Sequence, residues 1–266
     1  MTLSAADLQA ASDLLRRHWR EGSRLACLPP RLRPTNRAEG YAIQALLEAG
    51  SRAPLFGWKI AATSAAGQAH INVDGPLAGR ILAETVRESG AAVSIGANHM
   101  RVAEAEFAFR MARDLPPRLA PYSRAEALDA VAALHPAIEI PDSRYEDFTV
   151  VGAPQLIADN SCAQLFVLGP AAPETWRNVD LVRHAVRGAV TGKSCTLDRE
   201  GRGANVLGDP LVALAWLVNE LSDLGVTLKA GQVVTTGTCL IPLAIAPGDT
   251  VAADFGILGR VSCRIM

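Results

Sequence analysis

Apolar residues recur in two rhythms along this chain, and the change of rhythm divides it. Near the amino terminus Leu8, Ala11, Leu14, Leu15 and Trp19 follow i, i+3, i+4 spacing behind Ser4, which predicts an N-capped amphipathic helix. After a break containing Pro29, Pro30 and Pro34, Asn36 and Glu39 stand at capping-box spacing before Tyr41, Ile43, Leu46 and Leu47. A second helix is predicted there, ending near Gly50 and packing with the first. From Leu55 to Ile60 the pattern turns β-like, and Gly75-Pro76 marks a turn. The expected boundary lies near residue 80, with a helical amino-terminal part over 1–80 and a β-rich body over 81–266.

Beyond that boundary strict alternation dominates, in Arg101 to Met111, Pro136 to Ile140, Leu165 to Leu168, Val233 to Thr236 and Thr250 to Phe255. Two helices are predicted among these strands. Ser123 and Glu126 form a capping box leading into Ala127 to Leu134, and Leu211 to Leu224 is apolar-periodic up to Gly225. Strands in runs with few helices between them favour an α+β roll or barrel over a doubly wound sheet.

Composition acts mainly by exclusion. The 266 residues are 49% hydrophobic and 20% charged, ordinary for a globular chain. Lys and Arg total 26 against 27 Asp and Glu, so nothing in the net charge pulls the protein toward nucleic acid or anionic lipid. The first residues, with Asp7 among them, lack a basic segment before an apolar run, and a cytoplasmic location is expected. The longest apolar run, Pro210 to Val218, is far short of the ~20 residues that span a bilayer. Cys27, Cys162, Cys195, Cys239 and Cys263 form no C-x-x-C pair and are expected as buried thiols. G-x-G-x-x-G after a strand, Walker A and G-x-S-x-G sequences are all missing, and the five histidines show no i, i+4 pair.

Candidate chemistry concentrates in Arg101 to Met111. As a strand, this segment puts Ala103, Ala105, Phe107, Phe109 and Met111 on one face and Glu104, Glu106 and Arg110 on the other. The two glutamates then lie ~6.6 Å apart on the same side, whereas a helix would turn them ~200° apart. Glu139, between Ile138 and Ile140, offers a third carboxylate. Oxygen-only ligands select hard cations such as Mg²⁺ or Mn²⁺ and leave positions for water and a chelating substrate. Spacing alone leaves open that these acids decorate solvated strand faces. Lys59 interrupts an apolar segment, where a desolvated amine could exchange protons or the side chain could snorkel outward. Asp74 before Gly75-Pro76 fits a turn as well as an acid catalyst. Asp159-Asn-Ser161 shares that ambiguity. Thr235-Thr-Gly-Thr238 could present backbone donors to a ligand or simply form a tight turn.

The strings Ala38-Glu-Gly-Tyr-Ala-Ile-Gln44, Gly57-Trp-Lys-Ile-Ala-Ala-Thr-Ser64, Val73-Asp-Gly-Pro76, Glu104-Ala-Glu106, Pro136-Ala-Ile-Glu139, Asp142-Ser-Arg144, Ala158-Asp-Asn-Ser161, Val206-Leu-Gly-Asp-Pro210 and Leu228-Lys-Ala-Gly231 appear in an order that resembles the 2-keto-4-pentenoate hydratases. These belong to the hydratase and decarboxylase branch of the fumarylacetoacetate hydrolase superfamily. The resemblance runs from about residue 36 to Phe255-Gly256. It implies a β-rich roll with a small helical front, and a ring-like homo-oligomer such as a pentamer or decamer. It further implies Mg²⁺ or Mn²⁺ on Glu104, Glu106 and Glu139, catalysis by Lys59 and Asp74, and substrate contacts from Ser161, Gly237 and Thr238. The implied reaction is hydration of a small anionic 2-hydroxy-2,4-dienoate to a 4-hydroxy-2-oxoacid, with no nucleic-acid or membrane partner. Decarboxylation of a 2-oxo-enedioate of the 4-oxalocrotonate type is the alternative. Acylpyruvate hydrolysis is disfavoured because no histidine stands beside the acids, and a non-catalytic binding protein is the contrasting class. Gly67-Gln68, Trp58, Gln232 and Thr236-Gly-Thr238 depart from the commoner family residues and bear on substrate identity.

Overall fold

The computed structural model describes residues 2–192 and 196–266, so Cys195 lies outside the described residues. The described residues form thirteen strands: β1 (Gly57–Ala61), β2 (Leu77–Ile81), β3 (Val86–Glu88), β4 (Ala92–Val93), β5 (Val102–Met111), β6 (Val131–Ile140), β7 (Leu165–Leu168), β8 (Ala185–Thr191), β9 (Thr196–Arg202), β10 (Val233–Thr238), β11 (Leu243–Ala244), β12 (Thr250–Asp254) and β13 (Arg260–Ile265). The α-helices are α1 (Ala5–Glu21), α2 (Arg37–Ala45), α3 (Ala65–His70), α4 (Arg124–Asp129), α5 (Ala153–Ala158) and α6 (Pro210–Asp223).

The strands make two sheets. One runs β2-β1-β10-β5-β6-β7-β3 with β11 added to the end of β5, and the other runs β4-β13-β12-β8-β9. This is the expected α+β roll. Alternation explains how the sheets meet: Ala103, Ala105, Phe107 and Phe109 of β5 share one apolar core with Val190, Val251, Val261 and Ile265 of the second sheet. Phe107 meets Phe255 edge to face at 5.1 Å between ring centroids. Helix α6 adds Leu214, Leu217 and Leu221 to the same core.

The front is helical as predicted. Ser4 Oγ accepts from Asp7 N, and Gly22 closes α1 with φ 65°, a conformation glycine adopts without strain. Asn36 caps α2, accepting from Glu39 N at 2.9 Å. The reciprocal half of the box is absent, because the Glu39 carboxylate instead accepts from Thr35 N and Leu3 N and ties the chain start to α2. The two helices pack through Ala11, Leu15 and Ile43, joined by Leu28, Tyr145 and Ala158. The expected boundary near residue 80 falls inside β2, and β1 already belongs to the main sheet.

One helix is shorter than predicted. The Ser123–Glu126 capping box forms, but α4 ends at Asp129, and Val131–Leu134 joins β6 against Met111–Phe109 of β5. Pro136 therefore sits inside a strand. Its carbonyl accepts from Gly169 N at 2.8 Å, where β7 has ended, so its missing N–H costs little of the ladder. Cys162, Cys239 and Cys263 are buried thiols as expected, while Cys27 is half-buried. Among the described residues, no helix is long and apolar enough to cross a membrane.

Candidate active site

Strand register creates the acidic cluster. Glu104 and Glu106 project from the same face of β5, and Glu139 of β6 stands directly opposite Glu104 in the antiparallel ladder. Cross-strand partners have Cβ atoms about 5 Å apart, and like charges in that position destabilise a sheet. Here the three carboxylates come within 4.8 Å of one another. Glu106 and Glu139 are 0% and 2% exposed, so the reading of acids on a solvated face does not hold. Two unit charges at about 5 Å repel by ~3 kcal/mol at an effective dielectric constant of ~20, more than one hydrogen bond recovers.

The neighbouring strand holds Glu106 in place. Pairing between β10 and β5 slips between Thr235 and Thr238, and this irregularity turns Thr235 Oγ1 and Gly237 N onto Glu106 Oε2, the latter at 2.9 Å. Gly237 has φ 89°, and a Cβ there would stand 2.1 Å from Thr63 Oγ1. Glu106 Oε1 and both Glu139 oxygens have no hydrogen-bond partner. Buried acceptors left in that state suit a cation.

Lys59 supplies one positive charge. It lies on β1, and its Nζ is 3.1 Å from Glu139 Oε2, a buried ion pair. It also donates to the Ser161 carbonyl at 3.0 Å. That carbonyl is aimed by an unusual turn in which Asn160, Ser161 and Cys162 have φ of 55°, 50° and 61°. Left-handed backbone costs roughly 1 kcal/mol or more per non-glycine residue. The surrounding bonds hold it. Asn160 accepts from Arg80 N at 2.7 Å and donates to Arg80 O at 2.9 Å, as a strand partner would, and Ser161 Oγ donates to Ala78 O at 2.8 Å. Buried Asp159 accepts from Ser143 Oγ and Arg144 N. Gly79, paired with Lys59 across β1–β2, leaves room for both groups: a Cβ there would lie 2.6 Å from Asn160 O and 3.0 Å from the Lys59 stem.

These neighbours set the protonation balance. Burial, reinforced by Glu139, pushes Glu104 up to about 7. Burial and the charges of Glu139 and Glu104 push Glu106 well above the carboxylate range, and burial raises Glu139 against the pull of Lys59. Burial opposes charge on Lys59, but the three glutamates together outweigh it and hold the ammonium above the usual lysine range. Three carboxylates around one ammonium leave excess negative charge that a divalent ion would neutralise. The donor set, its spacing and its unpartnered oxygens all fit Mg²⁺ or a similar hard ion.

Lys59, Glu104, Ser161, Gly237 and Thr238 line a common cavity of about 830 Å³, with Glu106 and Glu139 buried beside Glu104. Asp74 is not among them. Its side chain is 85% exposed in the turn before Pro76 and pairs with Arg37 Nη1 at 3.2 Å. In this structure Asp74 occupies the turn role that its sequence context also allowed. Thr235 and Asn160 lie in segments that the sequence reading singled out, but it gave neither side chain a role, and it missed Gly79. Gly79 carried no signal, because close approach is a property of pairing and not of local sequence. It also missed Phe148 and the exposed His70, which line the outer cavity with His99.

The chain is similar to several known proteins. The fumarylacetoacetate (FAA) hydrolase C-terminal family matches residues 67–266. The 2-keto-4-pentenoate hydratase 1 of Dechloromonas aromatica (strain RCB) is 33% identical over 264 residues, covering 97% of each chain. A 4-oxalocrotonate decarboxylase of a Pseudomonas species is 32% identical over 218 residues, covering 81% of this chain and 80% of that one. Among solved structures, the 4-oxalocrotonate decarboxylase from Pseudomonas putida G7, complexed with magnesium and adipate, shares the fold with a TM-score of 0.87 at 24% identity. That likeness covers 100% of this chain and 99% of the other. The family match spans well over half of the sequence and includes all three clustered glutamates, and the chain belongs to the fumarylacetoacetate hydrolase C-terminal family.

Proposed function

We propose that the protein is a divalent-metal-dependent hydro-lyase that adds water to a 2-hydroxy-2,4-dienoate, giving a 4-hydroxy-2-oxoacid. The observation that carries this reading is the buried trio Glu104, Glu106 and Glu139, with unpartnered oxygens and Lys59 at 3.1 Å, at the wall of a cavity large enough for such a substrate. The near full-length likeness to a 2-keto-4-pentenoate hydratase supports it. When bound, a hard cation supplies Lewis acidity toward the substrate carboxylate and 2-oxygen.

The chain's own residues do the rest. Glu104, Glu106 and Glu139 hold the ion, and the Thr235 hydroxyl and Gly237 N–H keep Glu106 turned toward it. Lys59, fixed between Glu139 and the Ser161 carbonyl, presents a positive charge to an anionic substrate and carries the proton. Delivery of that proton to the far carbon of the dienol, with the 2-hydroxyl proton returning to the lysine, gives the isomeric conjugated 2-oxo-3-enoate. Water then adds across its double bond, the hydroxyl going to C4 and the proton to C3. Ser161, Gly237 and Thr238 border the substrate, and Asp74 takes no part while it stays paired with Arg37. An assembly of several copies in the cytoplasm accords with this mechanism.

A second reading, decarboxylation of a 2-oxo-enedioate, is supported by the 32% identity to a 4-oxalocrotonate decarboxylase and would use the same glutamate cluster and Lys59. Ultraviolet absorbance of 2-hydroxypenta-2,4-dienoate and 4-oxalocrotonate, followed with and without Mg²⁺ and with products weighed by mass spectrometry, separates the two. Gain of the mass of water from the dienoate is expected. Loss of carbon dioxide from the enedioate without hydration of the dienoate would favour the second reading, and no change in either would reject both.

A further inference from the structure

The cavity extends well beyond the charged groups, and its outer wall has a different chemistry. Besides Lys59 and Glu104, its ionisable lining residues of the usual charge-bearing kinds are two histidines, and no arginine reaches the wall among the described residues. The wall is built instead from Met100, Phe148, Leu156, Ile241 and Pro242. Phe148 is the centre of this apolar end, with His70 and His99 set edge-on to its ring at 6.0 and 6.2 Å between centroids. Burial holds His99 below the ordinary histidine range. The nearby Asp142, 3.8 Å away, is already engaged by Arg24 at 2.6 Å.

We infer that the protein prefers a monocarboxylic substrate whose apolar tail extends past the five-carbon dienoate, and that Phe148 is the residue that selects it. This rests on the hydratase reading, because it assumes that the 2-oxocarboxylate head lies at the glutamate cluster. Two observations carry it. The volume of about 830 Å³ is far larger than a five-carbon acid fills, and pockets of that size commonly enclose molecules several times larger. A second carboxylate at the tail would face Phe148, Met100 and Leu156 with no fixed cation, and an unpaired ionised group is expensive to desolvate. An alkyl or aryl tail gains from the same wall.

Calorimetric binding to the Mg²⁺-loaded protein tests this with three unreactive acids that share one head: pyruvate, 2-oxohexanoate and 2-oxoadipate. Each added methylene that is buried is worth about fourfold in affinity. 2-Oxohexanoate is therefore expected to bind at least about tenfold more tightly than pyruvate, and at least about tenfold more tightly than 2-oxoadipate, which has the same number of carbons. Phe148→Ala should weaken 2-oxohexanoate several-fold more than pyruvate. Ile241→Arg, at a mouth position that is 69% exposed and tolerant of a charge, should narrow the gap between 2-oxoadipate and 2-oxohexanoate. Equal or tighter binding of 2-oxoadipate by the unaltered protein overturns the inference and leaves the hydratase reading intact. So does equal binding of pyruvate and 2-oxohexanoate. Failure of all three to bind overturns the metal-held head and the inference together.

Discussion

Glu106 meets two donors with one oxygen and leaves the other free, which makes it the most informative single residue. In Glu106→Gln the amide oxygen can still accept from Thr235 and Gly237, while a carboxyl group whose ionisation burial and its acidic neighbours oppose is replaced by a neutral amide. Without divalent ions the variant should melt at the same temperature as the parent or higher, and its Mg²⁺ affinity should fall about 100-fold. Thermal denaturation with and without Mg²⁺ reads both effects. Glu104 adds a pH signature. Its pKa is raised from 4.5 in an ordinary setting to about 7, so the folded state holds a proton over that window which the unfolded chain has already released. Stability of the metal-free protein therefore falls as pH rises from about 4.5 to about 7. Excess Mg²⁺ competes for the same site, so the gain in stability that it confers grows across that window. Denaturant titrations at several pH values, with chelator or with Mg²⁺, check the opposite slopes.

At the scale of elements, two glycines let strands and turns approach closely enough to assemble the site. A methyl group at Gly79 collides with the Asn160 carbonyl and the Lys59 stem, and one at Gly237 collides with Thr63 from a left-handed backbone. Gly79→Ala and Gly237→Ala should each cost about 1–3 kcal/mol and weaken Mg²⁺ binding as well, whereas Gly90→Ala should cost stability alone. Gly90 shares the positive φ but has open space around it. Chemical denaturation paired with metal titration distinguishes the two kinds of effect. The same scale explains what was legible in the sequence. Strand β5 was readable because one of its faces is uniformly apolar, which put Glu104 and Glu106 together on the other at once. Strand β9, exposed and polar in Thr196-Leu-Asp-Arg-Glu-Gly-Arg202, shows no apolar alternation, and the hairpin that it forms with β8 went unseen. Residues 131–134 carry helix-compatible alanine and leucine, but the ladder to β5 overrides that propensity.

At the scale of the whole molecule, the site is assembled from segments far apart in the chain: β1, β5, β6, β10 and the turn at 159–162. Sequence spacing could pair Glu104 with Glu106, but no local pattern announces that Glu139 lies opposite them or that Lys59 reaches the same point. The family resemblance conveyed those links, and it also assigned a role to Asp74, which this structure keeps at the surface with Arg37. A site built this way links metal binding to the fold. Excess Mg²⁺ at about 100 times its dissociation constant should stabilise the protein by ~2.7 kcal/mol. The most direct test of the central claim is a calorimetric titration of Mg²⁺ into the metal-free protein near pH 7, repeated in buffers of different ionisation enthalpy. One ion should bind per chain with release of protons from the glutamates, and Glu139→Gln should abolish the signal. A protein that binds no Mg²⁺, or binds it equally well after that substitution, would contradict the account.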